Sequence, residues 1–454
     1  MRILVISWFF PPANTIGAVR VSRCCEYLLA QGHDVRVLAG SGLPYPQTLG
    51  CALEADRLIY APWTDVNGLP RRLSALGKTL LRPLRRPVTA QAASPGGGAS
   101  GPGGSGGSAP AGCGGSIAAA RALLSPLGDG YRNLTNLPDS RIGWYPHATR
   151  AARSALRDWQ PELIFASGPP FTAFLIAARL QPLFGARLVI EFRDRWVGDP
   201  YYPPPAWRGR LEDWWERRII AKAGAIVTVS EPWAEAYREK YGRPTAVVYN
   251  GYDPELLSGP APGAAEERFL RILYTGRIYP GRRDPSPLFA ALAHIGATPA
   301  DARVDFLGTD ETQVYPLAER FGVSDLVSVL PEVPHKEAVE LQQAADVLLL
   351  MQWNDPKEQG NVPGKLFEYL GARRPILGLG LEDGVPATLI GERQAGFFRN
   401  DPQAIADQLR AWIAAKRQGD IPALDESARR GFSRQEQFAK LDDFLRGLGN
   451  GAQR

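Results

Sequence analysis

The sequence predicts an α/β protein built from two successive Rossmann-like domains, each a parallel sheet with helices on both faces. Three observations carry this. Short apolar runs alternate with amphipathic helical stretches along almost the whole chain, the signature of repeated βαβ units. The alternation pauses once, at a Pro-, Gly- and Ala-rich stretch from Pro254 to Glu267, and then restarts. No run of about 20 apolar residues occurs, so no membrane-crossing helix is predicted.

Taken in order, the first strand is Ile3–Ser7, stopped by Pro11-Pro12, and the next is Val35–Leu38 after an amphipathic helix Ala18–Gln31. Strands Leu163–Ala166, Leu188–Glu191, Ala225–Val229 and Ala246–Val248 follow, separated by helical stretches at Ala151–Trp159, Arg208–Ala221 and Pro232–Tyr241. After the linker 254–267 come Ile272–Tyr274, Val304–Leu307, Val327–Leu330, Val347–Leu350, Ile376–Leu379 and Gly396–Phe398. A last helical pattern, Ser433–Leu448, has no strand after it and is free to pack across either domain, back on the first among them. The domains are therefore expected at 1–253 and 268–432, with the helix in 433–454.

One insertion, about 41–145, breaks the first domain. From Pro95 to Gly115 it is almost only Gly, Ser, Ala and Pro, a composition that cannot bury a core. It accounts for part of the high content of 48 Gly and 40 Pro in 454 residues. The glycines keep no three-residue period, which excludes collagen. Just before this tract, Leu69, Leu73, Leu76, Leu80 and Leu84 fall within an arc of roughly 80°, opposite a set of arginines and Lys78. Leu69–Arg86 thus reads either as a helix on an anionic bilayer surface or as a domain helix with its stripe on the core.

The bulk numbers exclude several classes. The chain is 44% hydrophobic and 22% charged, ordinary for a globular protein. A net charge of +5 permits anionic partners without requiring nucleic acid, and none is expected. Cys24, Cys25, Cys51 and Cys113 form no CxxC pair, and the four histidines are scattered, so no metal site is expected and a reducing cytoplasm fits.

Four segments carry candidate chemistry. The turn Phe10-Pro11-Pro12-Ala13-Asn14-Thr15-Ile16-Gly17 is not GxGxxG, but Gly17 allows a close backbone approach to a ligand or to the facing domain. Gly276-Arg277, followed by Arg282-Arg283, stands directly after a strand, where ligands bind in open α/β sheets and where arginines can fork onto a diphosphate. The sharpest segment is Asn361-Val362-Pro363-Gly364-Lys365-Leu366-Phe367-Glu368. Pro-Gly fits a first helical turn, whose free N–H groups and dipole make an anion site; Lys365 adds charge and Glu368 an acceptor for ribose hydroxyls. The bland reading of Lys365 and Glu368 is a surface i,i+3 pair. A charged cluster, Glu191-Phe192-Arg193-Asp194-Arg195-Trp196, lies beyond another strand end.

Together these pieces, with Gly32-His33-Asp34-Val35, Val229-Ser230-Glu231, Asn250-Gly251-Tyr252-Asp253 and Ala344-Ala345-Asp346-Val347, resemble the retaining GT-B glycosyltransferases of the family-4 type. The resemblance implies two sheets facing across an interdomain cleft and transfer of a sugar from a nucleotide-diphosphate sugar, UDP- or GDP-linked, to an acceptor hydroxyl, with no further cofactor and no metal. It implies donor contacts at Gly276, Arg277, Arg282, Asn361, Val362, Pro363, Gly364, Lys365, Leu366 and Glu368. Catalytic weight falls on Asp194, Arg193, Arg277 and Lys365, and cleft or acceptor contacts on Asn14, Gly17 and Asn250. Glu368 corresponds to the second glutamate of the family's E-x7-E motif; the first falls on Gly360, a departure, with Glu358 nearby. The expected setting is bacterial cell-envelope or exopolysaccharide synthesis, in the cytoplasm or on the inner face of the plasma membrane, with a sugar or lipid-linked saccharide acceptor. A nucleotide-sugar epimerase of the same fold and a non-catalytic sugar-nucleotide-binding scaffold are the alternatives.

Overall fold

The computed structural model describes residues 1–68, 130–257, 268–419 and 421–450. Leu69–Arg86, the Gly-rich tract 95–115 and most of the linker 254–267 lie outside the described residues.

Two parallel sheets form the molecule. The first has seven strands: β1 (Arg2–Ile6), β2 (Asp34–Gly40), β3 (Leu58–Ala61), β4 (Leu163–Gly168), β5 (Arg187–Phe192), β6 (Ala225–Thr228) and β7 (Thr245–Val247), in the order β3-β2-β1-β4-β5-β6-β7. The second has six: β8 (Leu270–Thr275), β9 (Ala302–Leu307), β10 (Val327–Leu330), β11 (Val347–Met351), β12 (Ile376–Leu379) and β13 (Gly396–Phe398), in the order β10-β9-β8-β11-β12-β13. In both sheets the order reverses beside the first strand, which opens a crevice at the C-terminal strand ends.

Each sheet is covered on both faces because its strands are apolar at successive positions. Along β1, Leu4 and Ile6 enter one core cluster and Ile3 and Val5 the other, the two-residue alternation of a strand. In the second sheet, Leu349 and Met351 enter one cluster and Leu348 and Leu350 the other.

Two features differ from the sequence expectation. β3 is a sheet strand inside the stretch read as pure insertion, pairing Leu58–Ala61 with Val37–Gly40. It stands at the edge of the sheet, beside β2 alone, and Pro62 ends it directly. The helix expected at Ala151–Trp159 is α2 (Tyr145–Ala155), started by Pro146 in its first turn. Before it in the chain, α1 (Ile16–Ala30) begins where Thr15 caps the Ala18 N–H at 3.1 Å.

The last helix, Arg434–Asn450, lies on the first sheet's layer. Phe438, Leu441 and Leu445 join the cluster that holds Ile3, Val5 and Val21. Asp442 meets His33 at 2.6 Å and the Phe438 ring lies 6.1 Å from Tyr27. A fully buried apolar side chain stabilises by roughly 1.5–3 kcal/mol, so these three residues alone fix the helix in place. The chain crosses between the domains twice, and the crossings run side by side through a parallel bridge between Tyr252 and Ser433.

Candidate active site

The residues expected to contact the donor gather at the C-terminal ends of β8 and β11. β8 ends at Thr275, and Gly276 turns with φ +112°, a left-handed value that favours glycine. The reason is next to it: a Cβ on Gly276 would stand 2.9 Å from Lys365 Nζ. Lys365 is in the first turn of the helix Gly364–Ala372, behind Pro363, where backbone N–H groups lack partners four residues back. Its ammonium donates to the Thr275 carbonyl and lies 4.2 Å from the Tyr274 ring centre. Two segments chosen separately from the sequence thus meet at one point. Burial, then Arg283, push the Lys365 amine down to about 7, with Glu368 acting in the opposite direction.

The arginine doublet divides its work. Arg282 sits between the Tyr201 ring at 4.2 Å and the Trp353 ring at 4.8 Å, held by its cation on two aromatic faces. Arg283 donates to the Arg277 carbonyl at 2.9 Å and is the cation that acts on Lys365. Arg277 is exposed.

Glu368 does not pair with Lys365. It accepts from His335 Nε2 at 2.9 Å and from Gln342 Nε2 at 3.3 Å. Burial alone raises a carboxylate, but these bonds and the His335 charge hold Glu368 below its ordinary value. His335 is raised in turn, first by its bond to Glu368. Close by, Arg434 has two buried nitrogens, Nε and Nη1, with no hydrogen-bond partner among the described residues.

Pro363, Gly364 and Asn361 line the approach to this helix. Asn250 comes from the first domain to within van der Waals reach of Gly364, where a Cβ would stand 3.6 Å from its Nδ2. Asn250 is held by Arg20, which also donates to the Tyr249 and Val248 carbonyls and pairs with Glu191 at 2.7 Å. Asn361 Nδ2 donates to Glu358 at 2.8 Å. The side chains of Val362 and Leu366 are buried in the second domain's core.

Gly360 has φ +85°, and a Cβ there would stand 2.3 Å from Trp233 Cδ1. The Trp233 indole donates to the Gln359 carbonyl at 3.1 Å. A first-domain tryptophan therefore fills the space where the resemblance places a glutamate. Glu358 is buried and accepts from the Tyr201 hydroxyl at 2.8 Å. Burial raises it above the usual carboxylate range, with Tyr201, Asn361, Arg283 and Arg282 opposing.

On the facing side, Arg193 donates to the Gly168 and Pro169 carbonyls. The close approach at Gly17 is to this guanidinium, since a Cβ would stand 2.6 Å from Arg193 Nη1. The neighbour that excludes a side chain at Gly17 belongs to the same domain. Asp194 is exposed at the strand end, and Asn14 donates to Thr48 at 2.9 Å. Behind the loop after β5 lies a cavity of about 660 Å³, lined among others by Phe171, Arg195, Trp196, Asp199, Tyr202 and Arg208. This is a usual size for a small-molecule site. Phe171 and Trp196 stack at 5.3 Å on its wall. Burial raises Asp199 above its ordinary value, opposed by the Tyr201 N–H bond and then by Arg282 and Arg195, so the cavity's edge reaches the arginine doublet.

Sequence reasoning gave Arg283 no contact of its own beyond its place in the arginine cluster, and it missed His335, Gln342, Tyr201, Trp353 and Trp233. Arg283 had a signal, as half of an arginine doublet. The others reach the site from distant elements with no local motif.

Among the described residues, no three His, Cys, Asp or Glu side chains are arranged to hold a metal ion. No helix among them is long and apolar enough to cross a membrane.

Two facing doubly wound sheets, with a cationic helix start at the second sheet's switch point, define the GT-B class of glycosyltransferase folds. Residues 113–256 match the Glycosyltransferase Family 4 model and residues 270–415 match the Glycosyl transferases group 1 model. The chain belongs to these glycosyltransferases, its first half carrying the one domain and its second half the other. No curated protein matches its sequence. Among solved structures it is similar to sucrose-phosphate synthase from Thermosynechococcus elongatus, at 15% identity and TM-score 0.61, covering 99% of this chain and 100% of that one. It is similar to Anabaena HepE in complex with UDP and glucose, at 13% identity and TM-score 0.56, covering 98% and 100%. It is also similar to WaaG, a glycosyltransferase involved in lipopolysaccharide biosynthesis, at 14% identity and TM-score 0.55, covering 97% and 99%. At such identities the likeness is one of fold.

Proposed function

We propose that the protein is a retaining glycosyltransferase that moves a sugar from a UDP- or GDP-sugar to an acceptor hydroxyl in cell-envelope or exopolysaccharide synthesis. The observation that carries this is the meeting of Lys365, at a helix start, with the Gly276 turn, under the influence of Arg283. A diphosphate there meets an ammonium, a guanidinium and unpaired N–H groups together. HepE, which shares the fold, holds UDP and glucose, and this supports a uridine donor. WaaG supports an envelope pathway.

In this reading Lys365, Arg277, Arg282 and Arg283 stabilise charge as it grows on the departing diphosphate. Pro363, Gly364, Asn361 and the backbone of Val362 and Leu366 shape the phosphate cradle. Glu368 exchanges its bond with His335 for the ribose hydroxyls. The acceptor hydroxyl approaches from the Asp194 and Arg193 side, on the face from which the diphosphate leaves, and configuration is retained. Asn14, Gly17 and Asn250 border that approach. Arg282 leaves the aromatic slot, or carries Tyr201 and Trp353 with it, when the donor enters. A sugar or lipid-linked saccharide is the acceptor.

Gly360 favours one second reading, a sugar-nucleotide-binding scaffold without turnover, because Trp233 occupies the first glutamate's place. One experiment separates the two. Incubation with a panel of UDP- and GDP-sugars, with and without saccharide acceptors, should release nucleoside diphosphate from one donor, and Lys365→Ala should abolish it. Binding without release by the wild type would establish the scaffold instead.

A further inference from the structure

We propose that the helix Ala206–Ile220 docks the protein on an anionic phospholipid bilayer through an exposed tryptophan–arginine face. At 100° per residue, Trp207, Arg210, Trp214, Arg217 and Arg218 fall within an arc of roughly 100°. All five are exposed. The two tryptophans are 46% and 49% exposed, unusual for so large an apolar side chain, and among the described residues no apolar side chain covers them.

The other side of the helix is fully used. Arg208 pairs with Glu212 at 2.7 Å, both buried, and binds the Asn133 carbonyl at 3.0 Å. Glu216 is buried and accepts from Lys240 at 2.9 Å and from the Tyr241 hydroxyl. The acidic residues of the helix are thus either buried or, for Asp213, paired with Arg217 and Lys240 at 2.8 and 2.7 Å. What faces outward is cation and indole. Arg218 lies 4.9 Å over the Trp214 ring.

That chemistry fits one surface best. Indole has an apolar body and a polar N–H and settles at the boundary between headgroups and acyl chains. Arginines beside it meet lipid phosphates, at about fivefold in partition per basic residue near an anionic surface. The apolar margin continues: Leu134 is 69% exposed on the turn that Arg208 holds, and Tyr202 is exposed just before the helix. The cavity lined by Tyr202 and Arg208 lies at this same end, so a docked molecule would bring it near the lipid surface. The face belongs to a different stretch of the sequence from Leu69–Arg86, and the inference does not depend on sugar transfer.

The test is co-sedimentation of the full chain with phosphatidylcholine vesicles, with and without phosphatidylglycerol. Wild type should bind the anionic vesicles, and vesicles with brominated acyl chains should quench its fluorescence. Arg210→Glu/Arg218→Glu should bind at least about 25-fold more weakly. Trp207→Ala/Trp214→Ala should lose most of the quenching. Unchanged circular dichroism and melting would show both variants folded, as substitution at exposed sites allows. Equal binding to neutral and anionic vesicles, wild-type-like binding by the arginine variant, or loss of binding only on removal of Leu69–Arg86 would each overturn the inference. So would wild type failing to bind while a polyanion such as heparin is retained, which would mark a nucleic-acid or polysaccharide surface.

Discussion

In the proposed function, Lys365 makes donor binding dependent on pH in a window set by its surroundings. Its amine is pushed down to about 7 by burial and by Arg283, so near neutrality about half the molecules carry the charge a diphosphate needs. Binding an anion favours the protonated form, and above pH 7 the proton must be taken up on binding. Affinity therefore falls as pH rises, by about tenfold per unit. Between pH 7 and pH 9 the loss is about 50-fold, or roughly 2.3 kcal/mol at 1.36 kcal/mol per unit. The window is clean because the terminal phosphate of a nucleoside diphosphate, like other phosphates with a second pKa near 6, is already ionised there. Calorimetric titration of UDP and GDP across this range measures the slope directly. Lys365→Arg keeps its charge throughout and should give a flat profile. Arg283→Gln removes a neighbouring cation and should move the fall to higher pH. A flat wild-type profile, or the same slope in Lys365→Arg, would refute the placement of the diphosphate on this amine.

Gly360→Ala should destabilise the molecule by about 2–5 kcal/mol in denaturant unfolding, combining a left-handed backbone at roughly 1–2 kcal/mol with overlap on Trp233 at about 1–3 kcal/mol. In a Trp233→Leu background the overlap part should vanish, and equal losses in both backgrounds would show that the indole is not the obstacle. Tyr201→Phe removes the hydroxyl that donates to Glu358 and should cost about 1–3 kcal/mol. Because Glu358 is raised in the fold, its contribution is complete below the ordinary carboxylate pKa and is lost as pH rises through the folded value, so acid should narrow the gap between Tyr201→Phe and wild type. Arg20→Met leaves Glu191 buried without its cation and should cost roughly 3–5 kcal/mol, measured by the shift in unfolding midpoint.

Much of the fold was legible because buried parallel strands are written as apolar runs, and Leu163–Gly168 or Val347–Met351 admit little else. β3 was not, since Leu58–Ala61 lies inside the stretch where the βα rhythm is lost, and its place beside β2 is set by the sheet. On the donor side, Pro363-Gly364-Lys365 after a strand announces a helix start on local grounds, and Gly276 announces a turn. That the two touch is a tertiary fact. The division between Arg282 and Arg283 was illegible, because it depends on Tyr201 and Trp353 arriving from two other loops. Gly360 stood out against the family pattern, yet only the fold shows the reason, a tryptophan from the other domain.

The C-terminal helix also bears on the order in which the molecule can be made. The layer that covers Ile3 and Val5 is completed by Phe438, Leu441 and Leu445, which leave the ribosome after the whole second domain. Until then one side of α1 and of the first sheet lacks its cover, and His33 lacks Asp442. Synthesis cannot finish the first domain before the second. A nascent chain must carry that uncovered surface through most of its translation, and a truncation that spares the second sheet entirely would injure the first.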